Sequence, residues 1–252
     1  MKINLILILF LFLSCNKSQN QSNKINQKDT LLIAKQNFDD FRKINRTFTI
    51  FSDSTYTFKQ IIKDVNYSKE ENFEGILKIK NDTIKFFPFE LSYNEAETAV
   101  LKNGFIEFTD GESPERMKIE KTSLNFINLI DFKNFKDYAV FTDYKKFDSD
   151  NRNRSVDLTT DDLKKIESIL KTEFNKNERL RKYSDYLKQI TSTRNDKDEA
   201  IVSIYLYCKS SNKLDIYQFY KIGMEDGGNC NVYIRLNLTT EKIELVNIAG
   251  LA

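Results

Sequence analysis

Apolar and polar positions alternate without a break over residues 229–238. Cys230, Val232, Ile234, Leu236 and Leu238 take one face, and Asn231, Tyr233, Arg235 and Asn237 the other, as a half-buried antiparallel strand requires. Further strands are predicted over 200–208, 214–224 and 242–248, with Asp226-Gly227-Gly228 as a hairpin turn ahead of the third. The helical period is clearest upstream, where Leu163, Ile166, Ile169, Leu170 and Phe174 form one stripe. Thr159 and Thr160 offer an N-cap there, and Asp161 and Asp162 suit the positive helix start. Leu180, Tyr183, Tyr186, Leu187 and Ile190 share one side of a second helical segment over 177–190.

The first half reads differently. Leu32, Ala34, Phe38 and Phe41 lie at roughly helical spacing, which predicts a short amphipathic helix over 30–43. From Thr47 onward the pattern is that of strands, over 47–51, 55–62, 73–79, 83–91, 99–108 and 117–122. Asp53-Ser54, Asn81-Asp82 and Asp110-Gly111 separate them, and Asn103-Gly104 splits 99–108 into a hairpin. The result is an antiparallel meander or small barrel, similar in architecture to lipocalin-like lipoprotein domains. Residues 124–147 are dense in aromatics but keep no period, and predict a mixed connector packed on one sheet, with a domain boundary near it. The helix and C-terminal strands predict one helix packed on a four-stranded antiparallel sheet, which resembles cystatin-like helix-on-sheet modules. The fold class expected is therefore α+β.

The first fifteen residues change the picture. Lys2 supplies a positive start, residues 3–13 are apolar except Asn4, and Phe12-Leu13-Ser14-Cys15 resembles a lipobox. The apolar run is shorter than the roughly 20 residues a membrane-spanning helix needs. The resemblance to bacterial lipoproteins implies that Cys15 becomes a lipid-bearing N-terminus, several acyl chains making the anchor stable. Residues 16–28 are polar with one apolar position, Ile25, and read as a disordered tether spanning some 20 Å. The first acidic residue after the cysteine is Asp29, so an acidic surface-export patch of the kind found in some Bacteroidetes lipoproteins is missing. That favours an outer-membrane lipoprotein on the periplasmic face. The organisation expected is a signal peptide over 1–14, a tether over 15–29, a β-rich domain over 30–124, a connector over 125–156 and a helix-plus-sheet domain over 157–252.

Composition narrows the chemistry. The chain carries 39 basic and 37 acidic residues, so no global field recruits nucleic acid, and nucleic acid is not an expected partner. It has no histidine, which removes Ser-His-Asp and Cys-His catalysis and histidine-bearing metal sites. Three cysteines, one lipidated, cannot build a four-thiolate zinc site, and no dinucleotide, P-loop or HExxH spacing occurs. Asp148-Ser149-Asp150 opens like a calcium loop but lacks its glycine and closing glutamate. Asp226, beside two glycines, reads as a turn residue. No cofactor, metal or catalytic residue is expected.

Cys208 and Cys230 leave two readings open. An oxidising compartment favours a disulfide. In a simple meander, however, Cys208 ends the first strand and Cys230 begins the third, at opposite ends of the sheet and beyond the roughly 7 Å reach of a bridge. Buried free thiols are the first expectation, and a bridge would overturn the meander order.

The residues at 204–208, Asp226-Gly227-Gly228-Asn229-Cys230 and the closing 246–252 resemble the end of a family of Bacteroidetes lipoproteins, over 159–252 at most. Here the chain ends Val246-Asn247-Ile248-Ala249-Gly250, where that family shows a valine-asparagine-glycine closure. The resemblance carries no activity with it. The expectation is a lipid-anchored envelope protein, a non-catalytic binding or interaction module for an envelope protein or small ligand. A small-molecule carrier with an aromatic-lined β cavity and a carboxylate-dependent hydrolase are the alternatives.

Overall fold

The structure, a computed structural model, describes residues 28–39, 42–87, 96–110, 114–144, 154–210, 216–223 and 226–250. The expected lipobox with Cys15, the expected tether up to residue 27 and the 148–150 segment lie outside the described residues.

The first half is a closed antiparallel barrel of eight strands. These are β1 (Thr30–Asp39), β2 (Lys43–Phe51), β3 (Thr55–Asp64), β4 (Tyr67–Lys80), β5 (Thr83–Phe87), β6 (Thr98–Lys102), β7 (Phe105–Phe108) and β8 (Glu115–Thr122). Each pairs with its successor, and β8 returns to β1 with Leu32 opposite Thr122 and Lys35 opposite Lys118. The turn signals are used as the sequence indicates: Ser54, Asn81 and Asn103 adopt positive φ of 65°, 58° and 51°, and Gly104 follows at 79°.

The expected helix over 30–43 is instead strand β1. Leu32, Ala34 and Gln36 point inward and are fully buried, so the true period is two. A polar residue at an inward position hides that period, because the third member of the inward set is an amide. Inside the barrel, Leu32, Ala34, Phe48, Ile50, Tyr56, Phe58, Ile84, Phe86, Phe108 and Met117 form one core.

The second half places helix α1 (Thr160–Lys176) on a mixed sheet. The Thr159 hydroxyl accepts from the Asp162 amide, and the Asp162 carboxylate accepts from the Thr159 amide, a reciprocal capping box. Leu163, Ile166, Leu170 and Phe174 are buried from the helix, each contributing roughly 1.5–3 kcal/mol relative to exposure. The sheet comprises β9 (Tyr138–Val140), β10 (Arg154–Ser155), β11 (Tyr186–Arg194), β12 (Ala200–Cys208), β13 (Asn231–Asn237) and β14 (Lys242–Ile248). Strands β11 to β14 form an antiparallel meander, while β9 (parallel) and β10 (antiparallel) share the remaining edge of β11.

The expected four-stranded sheet is therefore corrected in its members. Residues 177–190 do not continue as a helix: a 3-10 turn, Tyr183–Asp185, leads into β11. Both faces of β11 are covered, so Tyr186, Leu187 and Ile190 are all buried and their spacing mimics a helical stripe. Where a strand over 214–224 was expected, the described residues 216–223 hold a 3-10 turn, Ile216–Gln218, and an isolated bridge from Tyr220 to Glu115 of the barrel. Without that strand, β12 and β13 are direct neighbours, with Tyr207 opposite Asn231. Cys208 and Cys230 consequently lie at the same end of the sheet, 4.8 Å apart at Cα and disulfide-bonded, which replaces the free-thiol reading. Asp226-Gly227-Gly228 is correspondingly no hairpin turn. Its glycines, at φ 108° and 56°, lead into a 3-10 turn, and Asp226 bridges Gly250.

Candidate functional site

The barrel lumen was the sequence's candidate for an aromatic-lined cavity, and its rings are packed on one another. Phe48 stacks on Tyr56 at 5.5 Å and meets Phe86 edge-on at 5.5 Å, and none of these three is more than 2 % exposed. One register step further up lies a polar layer in which Gln36, Arg46, Gln60 and Glu71 stand opposite one another on β1 to β4. The Arg46 guanidinium donates to Gln36 Oε1 at 2.6 Å and to Gln60 Oε1, and the Gln60 amide donates to Glu71 at 2.8 Å. Gln36 donates to Glu115 at 3.1 Å. Tyr220, from the second half of the chain, closes the layer: Arg46 donates to its hydroxyl, which donates to Gln36 Oε1 at 3.1 Å. Burial pushes the Tyr220 phenol upward, with Glu115 adding to the shift, so the hydroxyl keeps its proton. Lys69 and Gln60 hold the Glu71 carboxyl below the ordinary range. Every group in this layer is spoken for, and the layer is a plug.

The outer face of β6 to β8 carries the junction between the two halves. β7 is buried at all four positions because its inner face lines the barrel and its outer face meets the second half. Arg116 is 1 % exposed, its guanidinium held 3.9 Å from the Phe105 ring centroid and 4.4 Å from that of Phe141. Nε donates to the Gln218 carbonyl and Nη1 to the Val140 carbonyl, each at 2.6 Å. Burial pulls the Arg116 pKa down to about 10 while Glu107 raises it, so the guanidinium stays charged at neutral pH. Glu107 lies 3.8 Å from Arg116 and 4.0 Å from Lys102, accepts from the Tyr144 hydroxyl at 2.8 Å, and keeps Oε1 without a hydrogen bond. Lys102 reaches Thr142 at 2.6 Å and pairs with Asp157. The Asn103 side chain of the β6–β7 turn accepts from the amides of Leu129 and Ile130 at 2.7 and 3.1 Å.

Beside this junction opens a cavity of about 470 Å³, within the usual range for small-ligand sites. Phe105, Phe132, Phe135 and Tyr138 form its aromatic wall, and Arg116, Lys118 and Lys136 are its cationic groups. Phe105 meets Phe132 edge-on at 6.5 Å, and Phe135 meets Tyr138 edge-on at 5.3 Å. Gln218 closes one side and also lines a neighbouring cavity of about 330 Å³, together with Lys35, Lys118, Glu120 and Phe219. The cavity thus sits where β7, β8, the 132–138 segment and the Cys208–Cys230 loop meet.

Neither cavity brings two carboxylates together: the first has none and the second has Glu120 alone. Glu107 and Glu115 project from opposite faces of the barrel wall, one to the junction and one to the inner polar layer. Among the described residues, neither of these two cavities holds an acid–base pair across a cleft. Among the described residues no group of three His, Cys, Asp or Glu is placed to hold a metal, and no helix is long and apolar enough to cross a membrane. Of the residues singled out in sequence, Cys208 and Cys230 are brought together, and Cys15 lies outside the described residues. Sequence reasoning missed Arg116, Lys118, Lys136 and the aromatic wall. The available signal was the aromatic-dense stretch 124–147, whose missing period reflects burial against two bodies instead of one. Comparison with known proteins adds no relative: no family model, no curated protein and no solved structure matches the chain.

Proposed function

We propose that this is a lipid-anchored envelope protein, of the Bacteroidetes lipoprotein kind, held at the periplasmic face of the outer membrane through Cys15. It acts as a non-catalytic binding module, and its ligand seat is the groove between the barrel and the sheet. The observation that supports this reading is the cavity itself: about 470 Å³, walled by aromatic rings and cationic groups, with no carboxylate. A carrier reading survives in altered form, with the ligand at the junction outside the barrel. The hydrolase alternative finds no acidic pair lining either of the two cavities described above.

The test is native mass spectrometry of the protein extracted from its own membranes, as wild type and as Phe132→Ala and Cys15→Ala. A non-covalent small-molecule adduct on the wild type, lost in Phe132→Ala, is the expected result, with Cys15→Ala moving to the soluble fraction. An adduct indifferent to Phe132→Ala would place the ligand elsewhere, and membrane retention of Cys15→Ala would remove the anchor.

A further inference from the structure

We infer that the groove is selective for a small organic anion, a carboxylate carried on a flat apolar body; this deepens the binding-module reading and rests on it. The first reason is the sign of the charge on the lining. Apart from the phenol of Tyr138, every ionisable side chain lining the cavity is a cation: Arg116, Lys118 and Lys136. Lys118 and Lys136 are exposed, and among the described residues neither has an acidic partner. Arg116 stands 3.8 Å from Glu107, which does not line the cavity, so the two exposed lysines are the lining cations without an acid beside them.

The second reason is the state of Arg116. Its Nε and Nη1 donate to carbonyls, whereas no described residue accepts from Nη2, in a side chain that is 1 % exposed and lines the cavity. A buried guanidinium gains a shorter and stronger hydrogen bond when its free N–H meets a carboxylate. The Phe105 and Phe141 ring centroids lie 3.9 and 4.4 Å from the guanidinium carbon and two of its nitrogens are held by carbonyls, so the donor is preorganised and little rotamer freedom is lost on binding.

The third reason is the wall. Phe132 and Phe105 meet edge-on, as do Phe135 and Tyr138, which leaves ring surface to cover a flat apolar body while the lysines stand at the open rim. An anion lacking an apolar body would leave that wall wet. A neutral apolar molecule would leave the Arg116 donor unmet.

The experiment is isothermal titration calorimetry of the full chain in detergent with 2-naphthoate and with its neutral counterpart 2-naphthamide, at low and high salt. Three proteins are compared: wild type, Lys118→Gln/Lys136→Gln and Phe132→Ala. Circular dichroism and an intact Cys208–Cys230 bridge control for folding. Naphthoate is expected to bind about tenfold more tightly than naphthamide, a preference that fades in high salt and in the double lysine variant. Phe132→Ala is expected to weaken both probes alike. Equal affinity for the two probes, with both weakened by Phe132→Ala, would overturn the anion selectivity and leave the groove as the seat. Binding of neither probe, or binding indifferent to Phe132→Ala, would overturn the groove and the selectivity together.

Discussion

Lys188 shows how much a single residue can cost this fold. It lies near the start of β11 beneath helix α1 and is 2 % exposed, with its ammonium 4.1 Å from the Tyr183 ring centroid and 5.2 Å from that of Tyr138. The rings compensate only part of the lost hydration. Burial brings its pKa from 10.5 down to about 8, with Asp137 and Glu167 raising it and Lys209 and Lys171 lowering it. The folded pKa is below the unfolded one, so between pH 8 and 10.5 the unfolded chain holds more protons and stability from this group rises with pH. Below pH 8 the full penalty is present, roughly 2–3 kcal/mol. Lys188→Met should therefore raise the urea midpoint at pH 7. The gap from wild type should narrow as pH climbs through 8 to 10.5, and a gap independent of pH would show that the ammonium carries no penalty. Nothing in the local sequence announces this residue, because a lysine between Leu187 and Gln189 reads as an ordinary exposed position.

At the scale of the element, the barrel closes because its strands agree on one inward register, and Gly75 marks a place where its wall is tight. It stands opposite Tyr56, and a Cβ there would come within 2.8 Å of the Tyr56 ring and 2.9 Å of the Phe87 carbonyl. Gly75→Val should push the Tyr56 ring off Phe48 or part β4 from β5, costing about 1–3 kcal/mol. Thermal unfolding against wild type checks it, and an unchanged midpoint would mean that the wall yields freely. Strands β2, β3 and β8 were legible as strands from alternation and turn residues, although each also carries an inward polar side chain, Arg46, Gln60 and Glu115. Strand β1 was not, because Leu31 to Ala34 is apolar on both faces and the next inward position, Gln36, is an amide, so no alternation remains.

At the scale of the whole molecule, the loop closed by Cys208 and Cys230 bolts the two halves together. Its Phe219 carbonyl accepts from the Arg116 amide, and its Gln218 carbonyl accepts from the Arg116 side chain. Its Tyr220 enters the polar layer of the barrel, and its Tyr217 and Tyr220 carbonyls accept from Gln189 of β11 at 2.7 and 2.5 Å. With the cysteines 22 positions apart in sequence, the bridge should contribute about 3 kcal/mol through loop entropy. Cys208→Ser/Cys230→Ser should lower stability by that order and speed hydrogen exchange at the Arg116 amide. Loss of stability with unchanged exchange there would show that the loop stays seated without its clasp.

The amino-acid sequence by itself determined what depends on neighbours along the chain. These are the turns at Ser54, Asn81 and Asn103, the capped helix with its four buried positions, and the alternation of β13. Such features follow from backbone sterics and from a single buried face, which leave a period in the sequence. Tertiary structure alone decided the rest: β1 as a strand, β11 in place of a helix, the Cys208–Cys230 bridge and the groove. The reason is common to all four. Where a segment is buried on both faces, or carries a polar group inward to meet partners more than seventy residues away, as Gln36 meets Glu115, local spacing no longer reports which side is the core.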